Sequence, residues 1–307
     1  MVQGHGMNIE ESYLNANNIR LHAVQAGPRD GVPVILLHGF PEFWYGWRKQ
    51  IPALAQAGCR VIAPDQRGYN LSDKPAGIKA YHWQALVEDV TGLMDALAYE
   101  KVHLVGHDWG GVVAWLLAIS RPERLHSLSI LNAPHPAVMS KSLKRDLSQI
   151  RRSWYAMLFQ LPWLPEAGMR SGDWRGATRA LRGSGKLHTF PNEEIAEYKK
   201  AWAQPGAVTA MINWYRAAFW FRPRMKQGGR VRIRTLMLWG ARDVALGRRL
   251  AGASIDTCED GRLLLFPDAT HWVQHDEAEQ VNQDLLDFIF DKGTEPGHDP
   301  HGSNILM

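Results

Sequence analysis

Residues 101–112 read Lys101-Val102-His103-Leu104-Val105-Gly106-His107-Asp108-Trp109-Gly110-Gly111-Val112, and an almost unbroken apolar run continues to Ile119. The opening is a short apolar run with two valines, the mark of a buried strand. The stretch from Val112 has the length and composition of a buried helix, and Arg121-Pro122 ends it. Strand and helix are separated by a few residues, so the chain must turn sharply at Asp108. Such a turn forces its central residue into strained backbone geometry and needs small residues two positions before and after it. Gly106 and Gly110 stand at those positions. The side chain at the tip projects into the open at the carboxyl edge of the sheet, beside a helix N-terminus that favours an anion.

The same rhythm extends on both sides. Val34-Ile35-Leu36-Leu37, Arg60-Val61-Ile62-Ala63 and Leu128-Ser129-Ile130-Leu131 read as further buried parallel strands closed by loops. Trp83 to Leu97 places Leu86, Val90, Leu93, Met94 and Leu97 at helical spacing. Strand alternating with helix predicts an α/β fold, a mostly parallel sheet covered on both faces. From Ala137 to Gly229 the alternation stops, and aromatic residues separated by Pro and Gly predict several helices. It resumes with Thr235-Leu236-Met237-Leu238-Trp239 and Arg262-Leu263-Leu264-Leu265-Phe266, and closes with a helix over Glu277 to Phe290. The expected organisation is therefore a core domain of residues 1–136 and 230–290, a helical cap of residues 137–229, and a disordered tail of residues 291–307.

Composition narrows the class. The 307 residues are 45% hydrophobic and 21% charged, too apolar for a disordered chain and too long for a disulfide-stapled miniprotein. Cys59 and Cys258 cannot supply a disulfide framework or a metal cage, which points to a reducing, cytoplasmic setting. Neither a signal-peptide core at the N-terminus nor a stretch of ~20 apolar residues is expected from the sequence. The net charge of +4 conceals an asymmetry: Lys141 to Arg234 holds 19 Lys+Arg against 6 Asp+Glu, and the remainder 16 against 25. These cations are scattered among Trp and Leu without a nucleic-acid motif, so a solvated helical surface is the expected reading.

A carboxylate at the tip of such a turn suits one chemistry in particular. Asp108 is ionised near neutral pH without a base and can displace a leaving group from an sp3 carbon, forming an ester with the enzyme. Hydrolysis of that ester needs a base and an oxyanion hole. The base is expected at His271, in the loop Pro267-Asp268-Ala269-Thr270-His271-Trp272 after a buried strand, in the chain order nucleophile, acid, histidine. The acid that orients it is expected at Asp243, just past the strand ending at Trp239, in preference to Asp268. Asn132, at the end of the preceding strand, carries no charge for that role. The oxyanion hole is expected from the backbone N–H groups of Trp109 and of Phe40, in His38-Gly39-Phe40-Pro41-Glu42.

With these pieces in place, the chain resembles the soluble epoxide hydrolases of the α/β-hydrolase fold over nearly all of residues 10–290. The resemblance rests on His38-Gly39-Phe40-Pro41-Glu42, Asp65-Gln66-Arg67-Gly68-Tyr69, Gly106-His107-Asp108-Trp109-Gly110-Gly111 and Asn213-Trp214-Tyr215-Arg216. It implies two tyrosines in the cap that donate hydrogen bonds to the epoxide oxygen: Tyr215, within the last motif, and Tyr155, in Ser153-Trp154-Tyr155-Ala156-Met157-Leu158-Phe159-Gln160. It also implies a cis peptide bond before Pro41 and a vicinal diol as product. Two phenols aimed at one oxygen fit the chemistry, because the departing alkoxide needs a proton as the C–O bond breaks. His107 and Glu42, adjacent to this machinery, are candidates for a water network or for structural hydrogen bonds, and Asp65 and Arg67 are expected to fix a loop.

The rival activities fit less well. A haloalkane dehalogenase shares the aspartate nucleophile, but usually carries Asn where Phe40 stands and lacks the paired phenols. A haloacetate dehalogenase needs Arg after the nucleophile, where this chain has Trp109, and an esterase needs Ser in place of Asp108. A non-catalytic binding protein on this fold tends to lose a member of the set. The scheme requires no metal, nucleotide or organic cofactor. The expected partner is a small-molecule epoxide, with neither nucleic acid nor membrane, and the sequence leaves the oligomeric state open.

Overall fold

Eight strands form one sheet in the order β1-β2-β4-β3-β5-β6-β7-β8 in a computed structural model that describes residues 9–223 and 229–291. The strands are β1 (Glu10–Ala16), β2 (Ile19–Ala26), β3 (Val32–Leu37), β4 (Cys59–Pro64), β5 (Val102–His107), β6 (Leu125–Leu131), β7 (Thr235–Gly240) and β8 (Gly261–Phe266). From β4 to β8 every neighbouring pair is parallel, whereas β1 and β2 join as an antiparallel edge. That edge is not apparent from apolar runs. β1 alternates half-buried and exposed residues, and Asn17 and Asn18 turn the hairpin at φ of 47° and 59°. Most of the expected tail, residues 292–307, lies outside the described residues.

Both faces of the sheet are covered, which is why its strands read as continuous apolar runs. Ile35 and Leu37 of β3 belong to one core cluster and Val34 and Leu36 to the other; Ile62 opposes Val61 and Ala63 in the same way on β4. Helices α1 (Gln50–Gln56), α2 (Trp83–Ala96) and α3 (Trp109–Ser120) accompany the first half of the sheet. Leu93 of α2 and Trp115 of α3 pack on one face, and Ile51 and Leu54 of α1 on the other. Between β6 and β7 the described residues add α4 (Pro136–Arg145), α5 (Leu147–Arg152), α6 (Trp154–Leu158), α7 (Leu164–Gly183, interrupted by non-helical residues from Ser171 to Trp174), α8 (Asn192–Trp202) and α9 (Ala207–Trp220). The chain ends with α10 (Arg249–Ile255), α11 (Val273–Asp276) and α12 (Ala278–Ile289), whose Val281, Leu285 and Ile289 complete the second cluster.

The turn from β5 into α3 depends on close backbone approach. A Cβ on Gly110 would stand 2.1 Å from the Leu37 carbonyl oxygen of β3, far inside contact distance. Replacing Gly110 by Ala must therefore push α3 away from β3. The expected cost is about 3 kcal/mol, the upper end for overpacking, read as a lowered urea midpoint with an unchanged slope.

Candidate active site

Asp108 occupies the tip of that turn with φ 49° and ψ −119°, a conformation that side chains with a Cβ rarely hold. It precedes the first residue of α3, yet its carboxylate does not cap the helix. Instead Oδ1 accepts the Phe40 N–H at 2.8 Å, and the side chain keeps 16% of its surface exposed. Gly39 permits this approach, since a Cβ there would lie 2.4 Å from that of Asp108. The Phe40–Pro41 bond is cis. Trp109 opens α3, so its N–H has no acceptor within the helix.

His271 follows β8 and stands between two carboxylates. Its Nε2 is 3.5 Å from Asp108 Oδ2, and its Nδ1 is 2.7 Å from Asp243 Oδ2. Asp243 is fixed from every side: Oδ1 accepts the Ala245 and Leu246 N–H groups at 2.8 Å each, and Oδ2 accepts Asn132 Nδ2 at 2.9 Å. Asn132 also accepts the Gly240 N–H at 2.8 Å through Oδ1, so it aligns the acid across β6 and β7. Asp268 points away, paired with Arg242 at the surface. Burial alone would lower the His271 pKa, but Asp243 and Asp108 outweigh it and push it up to about 10. Burial would raise the Asp108 carboxyl, and the hydrogen bond and charge of His271 hold it below the ordinary carboxylate value.

Two cap phenols complete the constellation. The Tyr215 ring meets Phe40, Trp109 and Phe159 edge-on at 5.2, 4.9 and 4.8 Å between centroids, and Tyr155 lies 6.0 Å from Tyr215. Burial raises both phenols above their ordinary pKa, and the charge of Asp108 adds to the shift in each, so both remain protonated within electrostatic reach of the carboxylate. The residues flanking Tyr215 hold it there. Trp214 Nε1 donates to the Arg67 carbonyl at 3.0 Å, and Arg216 pairs with buried Glu166 at 2.8 Å while donating to the Phe159 carbonyl at 2.9 Å. Arg67 itself is anchored by Asp89, and Asp65 binds His22 Nδ1, Asn70 Nδ2 and the Trp44 N–H, so both fix the loop after β4.

His107 and Glu42 sit behind His271. His107 Nε2 is 2.9 Å from the His271 carbonyl oxygen, and its Nδ1 is 3.6 Å from Glu42. Glu42 is 1% exposed and accepts from Tyr198 Oη at 2.6 Å, His275 Nε2 at 2.8 Å and Gln274 Nε2 at 3.2 Å. Burial would raise its carboxyl; the two histidines hold it well below the ordinary value. Sequence reasoning named Asn132 only as an uncharged position and omitted Phe159, Tyr198 and His275 from the site. Their roles arise from contacts across 55 or more residues of chain, which no local pattern encodes.

The sequence pattern of the α/β hydrolase fold family matches residues 32–278. The AB hydrolase superfamily protein YfhM of Bacillus subtilis (strain 168) is 44% identical over 283 residues, covering 90% of this chain and 96% of that one. Epoxide hydrolase 2 of Caenorhabditis elegans is 35% identical over 296 residues, covering 94% and 82%. Among solved structures, the epoxide hydrolase of Bacillus megaterium in complex with an inhibitor superposes with a TM-score of 0.84 at 28% identity, covering 91% of this chain and all of that one. The chain belongs to the α/β-hydrolase-fold family, with the epoxide hydrolases among its relatives.

The raised pKa of His271 has a measurable sign. A group protonated more strongly in the native state than in the unfolded one stabilises fully below its unfolded value, near 6.5. That contribution fades as pH rises through about 10. The stability advantage of the wild type over His271→Gln, taken from urea melts, is expected to be larger at neutral pH than near pH 10.

Proposed function

We propose that this protein hydrolyses epoxides to vicinal diols through a covalent alkyl ester on Asp108. The observation that carries the reading is one partly exposed carboxylate, Asp108, 3.5 Å from the His271 imidazole, whose charge acts on two neighbouring phenols, half-buried Tyr155 and buried Tyr215. In the first step an Asp108 oxygen attacks an epoxide carbon. The C–O bond breaks, its electron pair passes to the oxygen, and a proton comes from Tyr155 or Tyr215. Esterification removes one of the two charges that keep His271 protonated. Its proton then returns to the tyrosinate, leaving a neutral imidazole oriented by Asp243.

In the second step His271 takes a proton from water and the hydroxide adds to the ester carbonyl. The oxyanion is received by the N–H groups of Phe40 and Trp109. Collapse expels the glycol oxygen, which takes up the acid proton left on Asp108. Carboxylate, imidazolium and both phenols are restored, and one water has been consumed. Residues 1–136 and 230–290 act in this scheme as the core, and residues 137–229 as the cap that supplies the phenols. Supporting that division, the elements from α4 to α9 between β6 and β7 are all helices among the described residues, and the bridge at Val231 falls in the core segment. Phe40 occupies the position where a dehalogenase would offer an amide, which favours epoxides over haloalkanes. A cytoplasmic location is part of the same proposal, supported by two free cysteines. No helix among the described residues is long and apolar enough to cross a membrane.

Two experiments test the scheme. His271→Gln incubated with an epoxide is expected to accumulate the ester, seen by mass spectrometry as one added substrate mass on the Asp108 peptide. An unmodified peptide together with sustained diol release would rule out the two-step route. Tyr155→Phe and Tyr215→Phe are each expected to lower the alkylation rate by roughly 10²–10³, as for loss of one oxyanion donor, measured by single-turnover kinetics. A near-normal rate in the double variant would remove the cap from the chemistry.

A further inference from the structure

The cap turns an unusual surface outward. Among the described residues, sixteen large hydrophobic side chains are exposed, and eight of these fall between Leu143 and Leu164. Scattered single residues of this kind are ordinary, but half of the total within one short stretch concentrates apolar exposure on one segment of the cap. Leu143, Leu147, Ile150, Trp154 and Met157 succeed one another at alternating intervals of four and three along α4, α5 and α6. Leu161, Trp163 and Leu164 continue the strip, with Trp163 exposed by 79% and Leu147 by 74%.

The charge within this strip has one sign. Lys141, Lys144, Arg145, Arg151, Arg152 and Arg170 are all exposed. Only two carboxylates fall between residues 136 and 170, and both are engaged: Asp146 caps α5 by accepting the Ser148 N–H, and Glu166 is buried against Arg216. From sequence, the excess charge reads as a solvated helical surface. The structure instead interleaves it with exposed Leu, Trp and Met, the composition of helices that lie in a lipid interface. A two-fold contact between copies would set these cations against one another, which disfavours a second chain as the occupant.

We propose that the α4–α6 face of the cap is a docking surface for the headgroup region of an anionic lipid bilayer. The cations draw it to the negative surface, and the leucines and tryptophans enter the boundary between headgroups and acyl chains. Tyr155 lies on α6 between Trp154 and Met157, so docking would bring the lipid surface next to the phenols. This inference stands apart from the reading of the active site, because vesicle binding needs no turnover.

The test is co-sedimentation of the full chain with vesicles of phosphatidylcholine alone, or mixed with phosphatidylglycerol, at low salt. Partition onto the mixed vesicles is expected to be at least about tenfold stronger, and to fall steeply when salt is raised to about 0.5 M. The pairs Leu147→Ser with Trp163→Ser, and Lys144→Glu with Arg151→Glu, are each expected to reduce it by roughly tenfold. All four positions are exposed, so circular dichroism and urea midpoint should remain those of the wild type. Failure to sediment with the mixed vesicles, equal partition onto both kinds, or unchanged binding by the variants would overturn the proposal. So would sedimentation velocity showing a dimer that the Leu147→Ser, Trp163→Ser pair dissolves, since the strip would then belong to a contact between copies.

Discussion

The site is organised around three charged groups in a row, Asp108, His271 and Asp243, with the ring hydrogen-bonded to Asp243 at 2.7 Å and 3.5 Å from Asp108. An imidazolium between two carboxylates is stable only while both are ionised and held close, and the fold spends three loops on that arrangement. The turn after β5 brings one carboxylate, the loop after β7 the other, and the loop after β8 the ring. Parallel topology makes this possible, since β5, β7 and β8 all deliver their following loops to the same edge of the sheet. The arrangement is also responsive. In the proposed scheme, converting one carboxylate into an ester withdraws one of the two charges that hold the proton, so the first step would prepare His271 for the second.

The cap is attached through polar contacts as well as apolar packing. Trp202 Nε1 donates to the Pro41 carbonyl at 2.6 Å, Trp214 Nε1 to the Arg67 carbonyl, and the Tyr198 hydroxyl to Glu42. Each cap residue here is a large aromatic side chain with a polar end. Such residues bury wide apolar surface yet accept only orientations that satisfy the polar group. The phenols of Tyr155 and Tyr215 are thereby held within electrostatic reach of Asp108.

Features that are local in sequence are the ones sequence reveals. The Asp108 turn needs Gly at fixed offsets, and the strands β3 to β8 are apolar because helices cover both faces; both requirements leave a signature over a few residues. Asp243 was separable from Asp268 by its place after a strand, and the structure puts the former 2.7 Å from His271. The β1–β2 hairpin left no such trace, because β1 carries Glu10 and Ser12 at half-buried positions and Tyr13 at an exposed one, so polarity does not follow its alternating burial. Glu42 illustrates the opposite limit. Its partners Tyr198, Gln274 and His275 come from α8 and α11, and no spacing in the chain foretells that a buried carboxylate will be held by them.

On α9, three consecutive side chains are engaged in three directions: Trp214 toward the loop after β4, Tyr215 toward Phe40 and Trp109 beside Asp108, and Arg216 toward the segment after α6. Successive helical residues are turned by about 100°, so the three assignments are locked to one rotational setting. A single inserted or deleted residue upstream on this helix would disengage all of them together. Divergence of the pocket along α9 is therefore confined to exchanging one side chain for another at constant length, while the loops elsewhere in the cap stay free to grow.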